Sequence, residues 1–431
     1  VELDDTGGSR AGGGGESPIL LDVPGPGDGN GQFLLYVAED GTLTWHLPDD
    51  VGHSVDDVTT RAGERRSYTI PRQVVPGESA DGQRGLVGAI GRKLFKVLVF
   101  PLIDPLLGAV GDYFAGRWEE ANRRNLLRTL DVPGYRSRDA RALTAGDWPR
   151  LAAGPALLFV HGTASQCHSG FQRIPEDTMT ALQERYEGRV LGFDHFTVSQ
   201  TPTENARWLG QQLPAGAGLQ VDVIAHSRGG LVSRVLCEHA DEVGLAGKLA
   251  VRRLVMVATP NAGTVLADRD RLEHLLNRLT NLVQLIPDNP VTETIDIVLV
   301  VLKQLAVGAF GGLEGIMSMN PQGDYLREFL NRPGKPPPTA RYFAVAAEFE
   351  PPKGSSLLRI ARDGVTDVVF QRTKNDLVVP TEGVYTVSGA AGFPIAEPLV
   401  FESHLGIDHS SFWDCPDFTS RLDQWLAAAT P

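Results

Sequence analysis

The strongest constraint on the fold is an alternation of apolar segments and helical patterns that begins near residue 140 and continues to the end of the chain. The apolar segments are short, as in strands that are buried on both faces. We predict strands at Ala156–Val160, Arg189–Phe193, Leu219–Ile224, Val251–Val257, Arg341–Ala346 and Pro398–Phe401. Helical patterns such as Glu176–Tyr186 and Glu204–Leu213 lie between them. This alternation predicts an α/β domain with a mostly parallel sheet and helices on both faces.

A serine lies where one of these strands meets a helix. The segment LQVDVIAHSRGGLVSR, which starts at Leu219, leads from an apolar strand through Ser227 into a helical pattern. A turn this tight needs small residues two positions before and two after the serine, and Ala225 and Gly229 satisfy that need. We predict a nucleophile elbow that leaves Ser227 exposed at the carboxyl end of the strand. The alternative is an ordinary helix-capping serine.

A second loop follows the strand Ala156–Val160 and is independent of the first signal. The sequence LFVHGTAS places His161 and Gly162 directly after the strand, followed by Thr163. Gly162 permits the backbone twist that aims an N–H group inward. A histidine after a strand is common, so this loop indicates an active site only in combination with the serine turn.

Together, LFVHGT and VIAHSRGG resemble the lipase and esterase branch of the α/β-hydrolases, over about residues 140–431. The resemblance implies an oxyanion hole made by the amides of Thr163 and Arg228. It also implies the chain order serine, acid, histidine. Asp376, in KNDLVVP, fits the acid position and His409, in DHSSF, fits the histidine position. Ala225 stands where most members of the family have glycine.

Rival residues exist for the acid and for the base. Glu348 and Glu350 follow a predicted strand directly, and His404 lies five residues before His409. Asp363 and Asp367 lie in a charged insertion and are expected to be solvated. His195 and His226 are expected to be structural, beneath the elbow or bonded to the backbone. We expect neither a catalytic metal nor a cofactor.

The chain before the α/β domain differs in character. Residues 1–18 include a Gly/Ser-rich stretch typical of a flexible tail. Residues 19–82 predict a small β-rich module, because QFLLYVA and TLTWHLP flank Glu39-Asp40-Gly41 as in a hairpin, and Ser67–Pro71 resembles a third strand. Residues 83–139 predict a helical connector with a charged, solvated face at Glu119–Arg128. The α/β-hydrolase domain then covers residues 140–431.

An insertion of about 75 residues interrupts that domain at about residues 262–338, far longer than an ordinary connection of about 2–6 residues. It is apolar and helical in pattern, with glycines at Gly308, Gly311 and Gly312 that could act as hinges. The family resemblance predicts a helical cap over the active site. A static helical hairpin that completes the core is the alternative.

Composition excludes some partners. The net charge of −13 argues against a nucleic-acid partner, which would need basic stripes. The three cysteines form neither a metal site nor a disulfide framework, which favours a reducing, cytoplasmic location. The acidic start lacks the pattern of a secretory signal, and the absence of an initiator methionine leaves open a trimmed or processed N-terminus. Peripheral membrane contact through the cap or residues 86–118 stays open, and the sequence does not indicate the oligomeric state.

The sequence therefore predicts a serine carboxylic-ester hydrolase of lipase or esterase type, with a small-molecule or lipid acyl ester as its substrate. An acyltransferase, a thioesterase or an amidase would use the same residues. A non-catalytic hydrolase-like binding module is the alternative from another class. The full set of Ser227, Asp376 and His409 argues against it, because a binding module has no need for all three.

Overall fold

The computed structural model describes residues 18–37, 42–49, 65–70, 94–104, 108–109, 114–284, 292–306, 308–309, 311–350 and 373–427. The strands are β1 Ile19–Val23, β2 Asn30–Val37, β3 Leu43–His46, β4 Arg66–Ile70, β5 Leu94–Pro101, β6 Ile103–Asp104, β7 Gly108–Ala109, β8 Leu126–Thr129, β9 Ala156–Val160, β10 Val190–Asp194, β11 Leu219–His226, β12 Leu249–Val257, β13 Arg341–Ala347 and β14 Leu399–Phe401. The α-helices are α1 Phe114–Asn122, α2 Trp148–Ala152, α3 Cys167–Gly170, α4 Glu176–Arg185, α5 Pro202–Gln212, α6 Arg228–Glu238, α7 Leu272–Gln284, α8 Thr292–Ala306, α9 Glu314–Met317 and α10 Pro416–Ala427. A π-helical segment covers Tyr325–Leu330.

The largest sheet in the described part of the chain has seven strands in the order β14-β13-β12-β11-β9-β10-β8. Neighbouring strands from β14 to β10 are parallel, and only β8 runs antiparallel, at one edge. The mostly parallel α/β sheet predicted from the sequence is confirmed, with all six predicted strands in it. The carboxyl ends of the parallel strands meet at one edge, where loops can bring distant residues together.

Both faces of this sheet are buried, which explains why the strands are apolar throughout. All five residues of β9 are buried, and they alternate between two layers. Leu157 and Phe159 belong to a core that includes residues of α4 and α10. Leu158 and Val160 are also buried, on the alternate side, and α6 packs against β9, β11 and β12. A strand covered on both sides loses the usual polar alternation, because neither set of side chains faces water.

The chain divides into two compact units. One comprises residues 119–269, 312–349 and 373–431 and contains the seven-stranded sheet. The other comprises residues 1–118, 270–311 and 350–372. The predicted cap insertion is therefore divided, since its two long helices belong to the same unit as the N-terminal strands. The linear boundaries predicted from the sequence need this correction, because the sequence cannot show that residues 270–311 pack with a segment more than 200 positions earlier.

The N-terminal strands form small antiparallel sheets. β2 pairs with β3, from Leu34 with His46 to Val37 with Leu43, as in the predicted hairpin, although its turn at residues 39–41 lies outside the described residues. β1 pairs with β4, which is the predicted third strand. The two sheets share a core of buried side chains: Leu21, Val23, Leu34, Tyr68, Ile70 and Phe95.

Helix α7 completes the outer edge of β3 with two asparagine side chains. Asn277 Oδ1 accepts the Trp45 N–H at 2.7 Å, and Asn281 exchanges two hydrogen bonds with Leu43, at 3.0 Å and 2.7 Å. Asn277 and Asn281 are four residues apart on one helix face, and Leu43 and Trp45 are two apart on one strand edge. The amides thus satisfy backbone groups that an exposed edge strand would leave unpaired.

The prediction of a helical connector at residues 83–139 is wrong for two segments. Residues Leu94–Pro101 form β5, which pairs with β2 along eight residues. The run is apolar at almost every position, so its pattern fits a helix and a strand equally well. The hydrogen bonds to β2 make it a strand. Leu126–Thr129 forms the edge strand β8 rather than a solvated helix face. No described helix is long and apolar enough to cross a membrane, and peripheral membrane contact stays a prediction.

Candidate active site

The turn between β11 and α6 holds Ser227 in a conformation that few residues adopt. Its φ of 52° and ψ of −130° lie outside the regions favoured by non-glycine residues. The tightness of the turn requires glycine nearby, because a Cβ at Gly229 would lie 2.3 Å from the Val160 carbonyl oxygen. A Cβ at Gly162 would lie 2.7 Å from the Ser227 Cβ. The loop after β9 therefore passes directly against the serine turn, as at a nucleophile elbow.

A chain of two hydrogen bonds joins Ser227 to a buried carboxylate. Ser227 Oγ lies 3.0 Å from His409 Nε2, and His409 Nδ1 lies 2.8 Å from Asp376 Oδ2. All three residues are buried, with Ser227 only 4% exposed. The sequence expectation of an exposed serine is therefore wrong: the surrounding loops cover the strand end. Three residues separated by 149 and 33 positions meet because each follows the carboxyl end of a strand in the same sheet.

Hydrogen bonds from nearby backbone groups fix the position of the Asp376 carboxylate and of the His409 ring. Asp376 Oδ1 accepts the N–H groups of Val378 and Val379, at 3.0 Å and 2.7 Å, which leaves Oδ2 for the imidazole. The backbone N–H of His409 donates to the Asp376 carbonyl at 3.0 Å. With Nδ1–H donated to the carboxylate, Nε2 faces the serine hydroxyl with its lone pair. This tautomer is the one that can accept a proton from Ser227.

The rival residues lie elsewhere. The side chain of His404 is 70% exposed and lies 3.4 Å from Glu402. Glu348 forms an ion pair with Lys374 at 2.8 Å, and Glu350 is exposed. Asp363 and Asp367 lie outside the described residues. Among the described candidates, the structure brings His409 and Asp376 to the serine.

Two backbone N–H groups are available near the serine. Within the described part of the chain, neither the Thr163 nor the Arg228 amide donates to a protein acceptor. Arg228 is the first residue of α6, where the unpaired amides carry a partial positive charge. Thr163 follows Gly162, which contacts the serine turn. These are the two amides that the sequence resemblance assigned to an oxyanion hole.

The side chain of Arg228 is turned away from solvent and anchors neighbouring loops. Its guanidinium donates to the Gly315 carbonyl at 2.7 Å and to the Gln200 carbonyl. Burial lowers the pKa of Arg228 to about 10, which leaves the group charged at neutral pH. The backbone and the side chain of this residue therefore have separate tasks.

Three further histidines support the loops. His226 Nε2 bonds to the His409 carbonyl at 2.8 Å. His161 Nε2 accepts the His195 N–H at 3.1 Å, and the two rings stack at 4.2 Å. Burial lowers the pKa of His161 and of His226 to about 3, so both are neutral at pH 7. They hold backbone groups and do not lie between Ser227 and Asp376.

Sequence reasoning missed several residues around the site. Met319 lies with its Sδ 3.8 Å from the Thr163 hydroxyl and is buried. Glu119 and Arg123, which the sequence assigned to a solvated helix face, are buried and bonded to loops beside the site. Charge alone predicts exposure, and no local signal marked these two residues. Among the described residues, no group of three or more His, Cys, Asp and Glu side chains could hold a metal ion.

The parallel sheet, the serine at a strained strand-to-helix turn and the His–Asp partners on later loops define an α/β-hydrolase fold. The chain belongs to the DUF7379 family, described as a domain of unknown function, whose profile matches residues 122–427. No curated protein matches the sequence.

Solved structures with a similar fold include two lipases and one further α/β-hydrolase family protein. The mature lipase of Bacillus licheniformis is 17% identical, with a TM-score of 0.39, and the match covers 64% of this chain and 93% of that one. Lipase 1 of Pelosinus fermentans is 12% identical, with a TM-score of 0.39 and coverage of 64% and 99%. A putative α/β-hydrolase family protein of Desulfitobacterium hafniense is 15% identical, with a TM-score of 0.33 and coverage of 64% and 97%.

Proposed function

We propose that this protein is a serine carboxylic-ester hydrolase of lipase or esterase type. The observation that carries the proposal is the pair of hydrogen bonds from Ser227 to His409, at 3.0 Å, and from His409 to Asp376, at 2.8 Å. A weak nucleophile next to a base that a third group orients is the arrangement that nucleophilic catalysis needs. The strained φ of Ser227 adds support, because such strain is retained where geometry matters for function.

In this mechanism Ser227 Oγ attacks the ester carbonyl carbon while His409 Nε2 takes the hydroxyl proton. The carbonyl oxygen becomes an oxyanion, which the N–H groups of Thr163 and Arg228 bind. The tetrahedral intermediate collapses, the C–O bond to the alcohol breaks, and His409 donates its proton to the leaving oxygen. Asp376 stabilises the positively charged imidazole in between. The product is an acyl-enzyme on Ser227.

Water then hydrolyses the acyl-enzyme by the same kinds of step, with water as the nucleophile and Ser227 as the leaving group. His409 takes a proton from water as the water oxygen attacks the acyl carbon, and the proton then returns to Ser227 Oγ as the acid leaves. Ser227 is only 4% exposed, so little of its surface faces solvent. An alcohol acceptor in place of water would give acyl transfer at the same site.

A fluorophosphonate probe and a series of p-nitrophenyl esters of increasing chain length test the proposal. We expect covalent labelling of the native protein and ester hydrolysis, both lost in Ser227→Ala. Ser420→Ala is the matched control, because Ser420 is exposed on α10 and lies outside the site. Labelling that persists in Ser227→Ala would assign the nucleophile to another residue. Native protein that is neither labelled nor active towards any ester would refute an ester hydrolase.

A further inference from the structure

A fully buried carboxylate lies behind the loop that supplies the Thr163 amide. Glu119, near the end of α1, accepts the backbone N–H groups of three consecutive residues: Thr197 at 2.7 Å, Val198 at 3.1 Å and Ser199 at 2.9 Å. The Ser199 hydroxyl donates a further bond at 2.6 Å. Bonds of this kind to an ionised oxygen are the stronger class, and they offset the cost of burying the charge. Glu119 thus holds the backbone of residues 197–199 at three consecutive positions.

The Thr197 side chain connects Glu119 to the loop after β9. Its hydroxyl lies 3.4 Å from Glu119 Oε1 and accepts the Ala164 N–H at 3.2 Å. The carboxylate can only accept, so the hydroxyl proton points towards Glu119 and the oxygen lone pair points towards Ala164. Ala164 directly follows Thr163, so this path ends one residue from the amide assigned to the oxyanion.

Arg123 holds the same loop through its carbonyl groups. Its guanidinium donates to the Ser165 carbonyl at 3.0 Å and to the Ala164 carbonyl at 3.3 Å. The Arg123 amide in turn donates to the Glu119 carbonyl at 2.7 Å, so one helical turn carries both charges. The N–H of Ala164 is therefore bound by the Thr197 hydroxyl, and its C=O is bound by the Arg123 guanidinium.

The loop needs such support because Ala164 has a φ of 58°. A non-glycine residue in this region is strained, and the conformation persists only where the surroundings hold it. If the loop relaxed, the Thr163 amide would rotate away from its direction. Preorganised donors lose most of their effect when they are misplaced by about 1 Å.

We propose that Glu119 and Arg123 are positioning residues that aim the Thr163 amide at the oxyanion of the reaction, although neither touches the substrate. The inference rests on the proposed function. It assigns the segment just before β8 a role in the rate of the chemical step rather than in substrate binding. The effect should therefore fall on kcat and on the affinity for tetrahedral adducts, and leave KM nearly unchanged.

The test compares Glu119→Gln with Glu120→Gln, its exposed neighbour, and Thr197→Val with Thr197→Ser. Valine keeps the shape of threonine but removes the oxygen that links Glu119 to Ala164, whereas serine keeps that oxygen. For each variant we would measure kcat and KM per site titrated by the fluorophosphonate, and the Ki of a trifluoromethyl ketone, whose adduct with Ser227 carries an oxyanion.

We expect kcat to fall about 10–100-fold in Glu119→Gln and about tenfold in Thr197→Val, with KM within about threefold and Ki raised by the same factor as kcat falls. Thr197→Ser should recover most of the rate, and Glu120→Gln should match the wild type. Equal kcat per titrated site in Glu119→Gln and Glu120→Gln would overturn the inference. If Glu119→Gln does not fold, Thr197→Val decides. A wild type that is not labelled at all would instead refute the proposed function.

Discussion

Replacing Asp376 by asparagine tests the electrostatic part of the mechanism. Asparagine retains the size of the side chain and an oxygen for the Val378 and Val379 amides, but it removes the negative charge next to His409. With a 2.8 Å contact, the charge centres of carboxylate and imidazolium lie about 4 Å apart. At an effective dielectric constant of about 20 their attraction is about 4 kcal/mol. Since each 1.36 kcal/mol is a factor of about ten, kcat should fall about a thousandfold.

The assay is hydrolysis of a p-nitrophenyl ester under saturating conditions, expressed per folded protein and repeated at high salt. Because the pair is buried, salt should change the loss little. Glu348→Gln is the control, since Glu348 is the rival acid and bonds instead to Lys374. We expect this control to retain activity within about twofold. A loss of less than tenfold in Asp376→Asn, or an equal loss in Glu348→Gln, would refute the assignment of the charge to Asp376.

The remaining predictions concern pH and packing. Burial lowers the pKa of His161 and of His226 to about 3 from an ordinary value of 6.5, so below about pH 6.5 the unfolded chain binds protons that the folded chain does not. The free energy of unfolding should then fall by up to about 1.4 kcal/mol per pH unit for each group as the pH drops towards 3, and equal urea midpoints at pH 7 and 5 would speak against this. Gly229→Ala should lower Tm by several degrees, because the new methyl group would lie 2.3 Å from a backbone oxygen, while Gly146→Ala, with 3.8 Å to its nearest neighbour, should not.

Local rules account for the elements that the sequence predicted well. Strands such as Ala156–Val160 are apolar throughout because both sheet faces are covered, and this pattern is visible without any partner. The serine turn is also marked by a short pattern, because small residues stand two positions before and two after Ser227, although the oxygen atoms that exclude a side chain at Gly229 belong to the distant Val160 and His161. A single sequence shows these patterns even where the contacts that require them are tertiary.

Other features exist only through contacts between distant segments. The sequence of Leu94–Pro101 is compatible with a helix and with a strand, and it forms a strand because eight of its residues pair with β2. The sequence of the insertion does not show what its helices pack against. The structure shows that Asn277 and Asn281 bond to the edge of β3. Glu119 appears as a surface charge in the sequence, yet three N–H groups almost 80 positions later make its burial possible. The sequence determined the six predicted strands of the seven-stranded sheet and the serine turn, because short residue patterns mark them, whereas the order of Asp376 and His409 after the serine came from the family resemblance. Tertiary structure alone decided which charges are buried and which strands and helices pair, because those free energies arise from groups that only folding brings together.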